Sequence, residues 1–330
     1  MRTEEIGLLA VPCSYGIASG FNDGGNLLAS FTSGRVLTPR AAAALLLLVG
    51  AGPLLLGTQV ARTIGLSVID LAHQGTGAFV LITTVSVAVV LGSWRLRVPT
   101  SMTLALVGAM VGWALLDKRH AAIHWPGVAR VLVGIPASVL AGASLAYILD
   151  RTARRLLSST SHQAALRLAR FQYATSALQA VAYGSNDMEK TIGLTVIAEL
   201  ASGAHPTTPF NDPLPLLLAV ASFLIGALLG GWRIARRVRA GIFRVRPVQA
   251  MSEQLASGLA VAALAVVGAP VSSTQAIGGS LVGVGIGVRA SAVRWGLVRE
   301  MLASWIITLP AALAAAALLH ACLRSLGTLP

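Results

Sequence analysis

Two Asn-Asp pairs lie inside stretches too apolar to hold a charge without a reason. Asn22 and Asp23 sit in IGLLAVPCSYGIASGFNDGGNLLASF, and Asn186 and Asp187 sit in LQAVAYGSNDMEKTIGLTVIAEL. A carboxylate at bilayer depth costs about 2.5–3.5 kcal/mol on insertion scales, so it marks a polar pathway or site. Carboxylate oxygens suit a hard cation, and Asn22, Asn26 and Asn186 can add amide oxygens, with unwound backbone carbonyls completing the shell. The plainer alternative is that each aspartate caps a break in its helix.

Two hydroxyl clusters follow a proline: Ser101 and Thr103 in VPTSMT, and Ser272, Ser273 and Thr274 in PVSST. Each stands where a helix begins, and there free backbone N–H groups and the positive end of the helix dipole favour an oxyanion. Two such ends can hold one tetrahedral anion between them; ordinary interhelical hydrogen bonding is the competing role for these hydroxyls. Lys190 is one of two lysines among 25 basic residues. A compact ammonium in an apolar segment serves either an anion or a neighbouring acid, Asp187 or Glu189. Glu189 itself is open to two readings. Two positions beyond Asp187, a helix turns it away from the pair; facing the site, it would be a proton-coupling carboxylate. Glu199, further along, reads as a lip residue.

The elements that position these groups follow from composition. Apolar residues are 55% and charged residues 11% of 330, with a mean hydropathy of +0.76. That is an all-α, polytopic protein of the cell membrane, without the alternation of a β-barrel. The start MRTEE has no basic region or A-x-A site, so no cleaved signal is expected. The net charge of +13 is spread over loops, as the positive-inside rule requires, and argues for membrane topology, not for nucleic acid. Cys13 and Cys322 lie far apart in apolar segments and read as inert fillers. The six tryptophans fall mostly near segment ends, as in an interfacial belt, and His124 and His205 have no ligand spacing.

Apolar segments fall near 6–21, 41–57, 76–92, 99–116, 128–149, 171–203, 213–232, 255–287 and 303–323. The loops 151–170 (Arg151, Arg154, Arg155, Arg167, Arg170) and 233–246 are basic, whereas SGAHPTTPFNDP between them lacks Lys and Arg. Segments 171–203 and 213–232 therefore form a down-and-back pair with both basic loops cytoplasmic. Asn211-Asp212, the third such pair, falls in the outer linker as a turn. The segment 255–287 begins and ends on the basic side, a re-entrant hairpin with Pro270 to Thr274 at its tip. Lys118, Arg119 and Arg130, which flank the corresponding first-half region, run against this charge rule.

Side by side, the halves repeat. Asn22, Asp23 and Asn26 match Asn186, Asp187 and Lys190, and PTSMT (Pro99 to Thr103) matches PVSST (Pro270 to Thr274). Two motifs in one order at similar separation indicate duplication: a first repeat over 1–150, a basic linker over 151–170 and a second, inverted repeat over 171–330. Inverted repeats with broken helices at the midplane are a secondary-transporter architecture. A catalytic aspartyl dyad in an intramembrane hydrolase and an ion channel are the readings from other classes; no nucleophile elbow, zinc motif or P-loop is present.

At these residues the chain resembles the inorganic phosphate transporter (PiT) family, whose signatures look like G-A-N-D-x-x-N and G-A-N-D-x-x-K-T-x-G, each followed by P-V-S-T-T-H. Here they read FNDGGN and GSNDMEKTIG, with VPTSMT and PVSSTQ behind them and RVLTP after the first. The resemblance spans residues 15 to 290 and implies cation-coupled uptake of phosphate, with no cofactor beyond Na⁺ or H⁺. It implies Na⁺ at Asn22, Asp23, Asn26, Asn186 and Asp187, phosphate at Ser101, Thr103, Ser272, Ser273, Thr274 and Lys190, and Glu189 as a coupling candidate. Sulfate is the alternative anion, and a homodimer in lipid is expected from the small-residue faces. The chain departs from the family pattern at Leu104 and Gln275, which replace the final His, at Glu189 and at Tyr183.

Overall fold

The computed structural model describes residues 3–69, 71, 74–95, 100–116, 122–157, 170–203, 210, 212–239 and 245–327. Among these, regular structure is helical, and the one β-bridge, Ile69 to Ile123, is isolated. Helix α1 (Thr3–Ser19) passes through a π-helical turn, Gly20–Gly24, into α2 (Gly25–Ser33). The chain returns through α3 (Pro39–Leu46) and α4 (Ala51–Leu56). Thr38 caps α3 by accepting from the Ala41 N–H, ahead of Pro39 in the first turn. After the short α5 (Gln59–Arg62) come α6 (Thr76–Arg95), α7 (Met102–Leu116) and α8 (Trp125–Leu157).

The second half of the chain continues with α9 (Gln172–Ala201), α10 (Pro213–Gly226), α11 (Trp232–Arg239), α12 (Pro247–Val266), α13 (Ser273–Val288) and α14 (Trp295–Ser325). Asp212 of the third Asn-Asp pair is the N-cap of α10; its carboxylate accepts from the Leu214 N–H at 3.0 Å. Its partner Asn211 lies outside the described residues, as do Pro99, Lys118, Arg119, Arg167 and His205. Five described stretches are long and apolar enough to cross a membrane: Pro39–Leu56, Thr76–Arg95, Trp125–Leu157, Pro213–Arg236 and Trp295–Ser325.

Packing is reciprocal between the halves. Helix α1 lies on α10 and α9 on α4; α7 lies on α14 and α13 on α8. The same glycines permit each approach, in the same register. A methyl group at Gly20 would lie 1.9 Å from the Phe223 carbonyl oxygen, and one at Gly184 would lie 1.9 Å from that of Val49. Both glycines stand two residues before their Asn-Asp pair. Similarly, Gly108 and Gly112 meet Leu309 O and Leu313 O, while Gly279 and Gly283 meet Val139 O and Ala143 O. These positions lie five and nine residues beyond Thr103 and Thr274 respectively. Small residues four apart let helix backbones touch where lipid supplies no hydrophobic drive.

Two features differ from the sequence reading. First, the Asn-Asp pairs do not interrupt their helices: Asn186 and Asp187 sit inside α9, and Asn22 and Asp23 occupy a π turn of a continuous helical path. An interruption does fall between α12 and α13, at residues 267–272, overlapping the break read at Pro270 to Thr274, and there Gly268 takes φ +70°. The aspartates are served by side-chain donors, so their helices need not unwind to solvate them. Second, Arg151, Arg154 and Arg155 belong to the last turns of α8 and not to a loop. Arg154 pairs with Asp150 one turn earlier at 2.8 Å and donates to Gly287 O, tying the C-terminal ends of α8 and α13 together.

Candidate functional site

The π turn places Asn22 and Asp23 against the start of α13. Thr274 Oγ1 donates to Asp23 Oδ1 at 3.2 Å and accepts from Asn26 Nδ2 at 2.7 Å and Asn22 Nδ2 at 3.4 Å. Asn22 also donates to Asp23 Oδ1 at 2.9 Å, and Ser19 donates to Oδ2 at 3.2 Å. A π turn widens the helix by one residue and appears mostly where a functional group must be aimed. Here it lets Asn22, Asp23 and Asn26 share one partner on the facing hairpin.

The second pair grips the same hairpin one residue earlier. Ser273 Oγ lies 2.7 and 2.6 Å from the two oxygens of Asp187. Asn186 accepts from the Val271 N–H at 2.9 Å and donates to Val271 O at 3.0 Å. Lys190 Nζ donates to Asp187 Oδ1 at 3.0 Å and to Val271 O at 2.9 Å. Thr103, from the start of α7, donates to the same carbonyl at 2.8 Å. Val271 is therefore the meeting point of the second Asn-Asp pair, the lysine and the first hydroxyl cluster. Ser101 turns to its own helix, accepting from the Leu104 N–H at 3.2 Å, as an N-cap does. Ser272 is buried at the N-cap of α13 without capping it, so the first-turn N–H groups of α13 have no side-chain acceptor from it.

Of the residues singled out from sequence, the structure brings together Asn22, Asp23, Asn26, Asn186, Asp187, Lys190, Thr103, Ser273 and Thr274, with Ser101 and Ser272 beside them at the two helix starts. Glu189 stands apart. Its carboxylate accepts from the Val60 and Ala61 N–H groups at 2.7 and 3.1 Å, at the start of α5. Of the two readings the sequence leaves open for it, the side chain turned away from the pair is the one observed. Sequence reasoning passes over Ser19 and the backbone of Val271. It also passes over Glu253 on α12, a fully buried carboxylate held by Ser30 Oγ at 2.5 Å, Gln179 Nε2 at 3.2 Å and Ser257 Oγ at 3.2 Å. Glu253 lies just ahead of the segment read as apolar, so no break in hydropathy announces it.

The centre holds two buried carboxylates and one buried ammonium, Lys190, which is 1% exposed. An ammonium carries three donors, of which Lys190 uses two. With both aspartates ionised the centre is one negative charge in excess, at a depth where an uncompensated charge is expensive. Its oxygen-rich lining suits a hard cation, and among the described residues no group of three or more His, Cys, Asp and Glu side chains gathers for a transition metal. Both cysteines are free thiols.

Known proteins are similar to this chain in sequence and in fold. The model of the phosphate transporter family matches residues 19–171 and 158–316. A protein of Mycobacterium tuberculosis named as a probable low-affinity inorganic phosphate transporter is 32% identical over 328 residues, covering 96% of this chain and 77% of that one. A Bacillus subtilis protein of the same name is 31% identical over 317 residues, covering 92% of each. A solved structure described as a sodium-dependent phosphate transporter superposes with a TM-score of 0.83 over 98% of this chain and 99% of its own, at 17% identity. At that identity the likeness is one of fold.

Proposed function

The chain belongs to the phosphate transporter family, and from that premise we propose that it is a symporter importing inorganic phosphate on a cation gradient. It is a multi-pass membrane protein, and the family is one of transporters, not enzymes, which sets the hydrolase aside. The observation that carries the finer reading is the convergence of both Asn-Asp pairs on consecutive residues, Ser273 and Thr274, of one hairpin. Hydroxyls and N–H groups at the starts of α7 and α13 bind the tetrahedral anion, with Lys190 as counter-charge. Asp23 and Asp187, with Asn22, Asn26 and Asn186, bind the coupling cation.

Coupling then follows from charge. Without cation, the carboxylates hold the hairpin hydroxyls as donors and repel an anion. A bound cation offsets the excess negative charge and frees those donors for the oxyanion, so each ligand favours the other. The reciprocal packing of the halves, glycine for glycine, supports two inverted repeats that rock about this centre. Na⁺ is the coupling ion that the hard oxygen ligands favour and that the name of the structural relative carries; H⁺ is the alternative, and sulfate is the competing anion. Uptake of labelled phosphate by proteoliposomes under imposed Na⁺ or pH gradients, with sulfate as competitor, tests the reading. Concentrative, sodium-driven uptake supports it, and sulfate flux without phosphate flux overturns the substrate.

A further inference from the structure

Two buried donors beside the hairpin tips have no hydrogen-bond partner: Gln275 Nε2 and Trp305 Nε1. Gln275 is 1% exposed on the first turn of α13, directly after Thr274. One turn further on the same face, Gly278 meets α14: a methyl group there would lie 2.9 Å from Met301 Cε and 3.5 and 3.7 Å from Cη2 and Cζ2 of the Trp305 six-membered ring. Three residues beyond Trp305, Thr308 shares a hydroxyl contact of 2.7 Å with Thr100, at the tip leading into α7. Thus α14 meets α13 through Trp305 and the residue Thr100 ahead of α7 through Thr308, and Trp305 carries an unsatisfied N–H. A buried donor left unmatched is costly, and one at a helix start, as in Gln275, calls for an acceptor.

We propose that the Gln275 amide and the Trp305 indole N–H are uncharged contacts to the transported oxyanion that set its affinity and its selectivity. This inference rests on the reading of the two helix starts as the anion site. In the arrangement described above, the Ser273 and Thr274 hydroxyls are engaged with carboxylates, whereas these two donors are unengaged. The amide also distinguishes oxyanions. Its nitrogen donates to an anionic oxygen and its oxygen accepts from a P–OH; sulfate at neutral pH has no such proton to give. Trp305 only donates and serves either anion.

The variants are Gln275→Met and Trp305→Phe, which keep most of the bulk and remove the polar atoms. Phosphate KM in proteoliposomes rises about tenfold in each, as expected for losing a hydrogen bond to a charged group. In Gln275→Met sulfate gains as a competitor by a comparable factor, and in Trp305→Phe it does not. The melting temperature of phosphate-free Gln275→Met is not lowered, because the removed donor bonds to nothing, whereas Trp305→Phe loses some packing against the core. Unchanged KM and unchanged sulfate-to-phosphate ratio in both variants overturn the proposal, whatever the melting temperatures. If Ser273→Ala and Asp187→Asn raise KM while these variants do not, the anion site stands and this inference alone falls. If the wild type takes up no phosphate, both fall.

Discussion

Asp187 and Lys190 form an ion pair sealed from solvent, and each is the other's principal charge partner. Removing one member of such a pair costs about 3–5 kcal/mol, because the survivor stays buried. Lys190→Met therefore lowers the melting temperature and abolishes phosphate uptake. Adding Asp187→Asn restores much of the stability and none of the transport, which thermal melting and uptake on the same preparations separate. Glu189 gives the opposite expectation. Its contacts are the Val60 and Ala61 N–H groups and not the centre, so Glu189→Gln, whose amide oxygen still accepts, keeps both uptake and its ion dependence. Loss of gradient dependence in Glu189→Gln would return this residue to the coupling path. The sequence exposes Asp23, Asp187 and Lys190 because a charge in an apolar run has no cheap explanation. Val271 is invisible to such reasoning, since its contribution is a backbone N–H and carbonyl. Ser19 and Glu253 are hidden for a related reason: neither interrupts the pattern around it.

At the scale of elements, the hairpin tip between α12 and α13 is held from three directions, by α9, by α7 and by the π turn after α1. Thr103→Val removes the donor that α7 extends to Val271 O while keeping the shape. It is expected to cost about 1 kcal/mol in stability and to raise phosphate KM more than a substitution on a lipid-facing turn; an unchanged KM would detach the first hairpin from the site. The paired glycines make a sharper claim. A side chain at Gly283 would strike Ala143 O and one at Gly112 would strike Leu313 O. Overpacking costs typically about 1–3 kcal/mol, and backbone atoms give way least. Gly112→Val and Gly283→Val should therefore lower the melting temperature by similar amounts, and a large asymmetry would argue against equivalent roles in the two halves. The hydropathy pattern makes the helices legible. It puts a break at Pro270 to Thr274, which overlaps the one observed, but wrongly adds breaks at the Asn-Asp pairs, because it treats a buried aspartate as needing unwound backbone, when hydroxyls from a distant helix start supply the donors.

At the scale of the whole molecule, each half supplies one Asn-Asp pair and one hydroxyl-bearing helix start, and neither half makes a complete centre alone. The sequence suggests a repeat through two motifs in one order. The reciprocal exchange of α7 with α14 and of α8 with α13 is not legible there, since it depends on contacts between residues more than a hundred positions apart. The composition announces the membrane, and the family membership supplies the transporter. The central claim is that the two Asn-Asp pairs form one cation site whose occupancy admits phosphate. Its most direct test is labelled phosphate uptake into proteoliposomes under an imposed Na⁺ gradient, for the wild type, Asp23→Asn and Asp187→Asn. Concentrative uptake by the wild type, collapse when the gradient is removed, and loss in both variants are expected, with the melting temperature retained in Asp23→Asn and lowered in Asp187→Asn, which leaves Lys190 buried and unpaired. Uptake that survives in either variant with its ion dependence intact would contradict it.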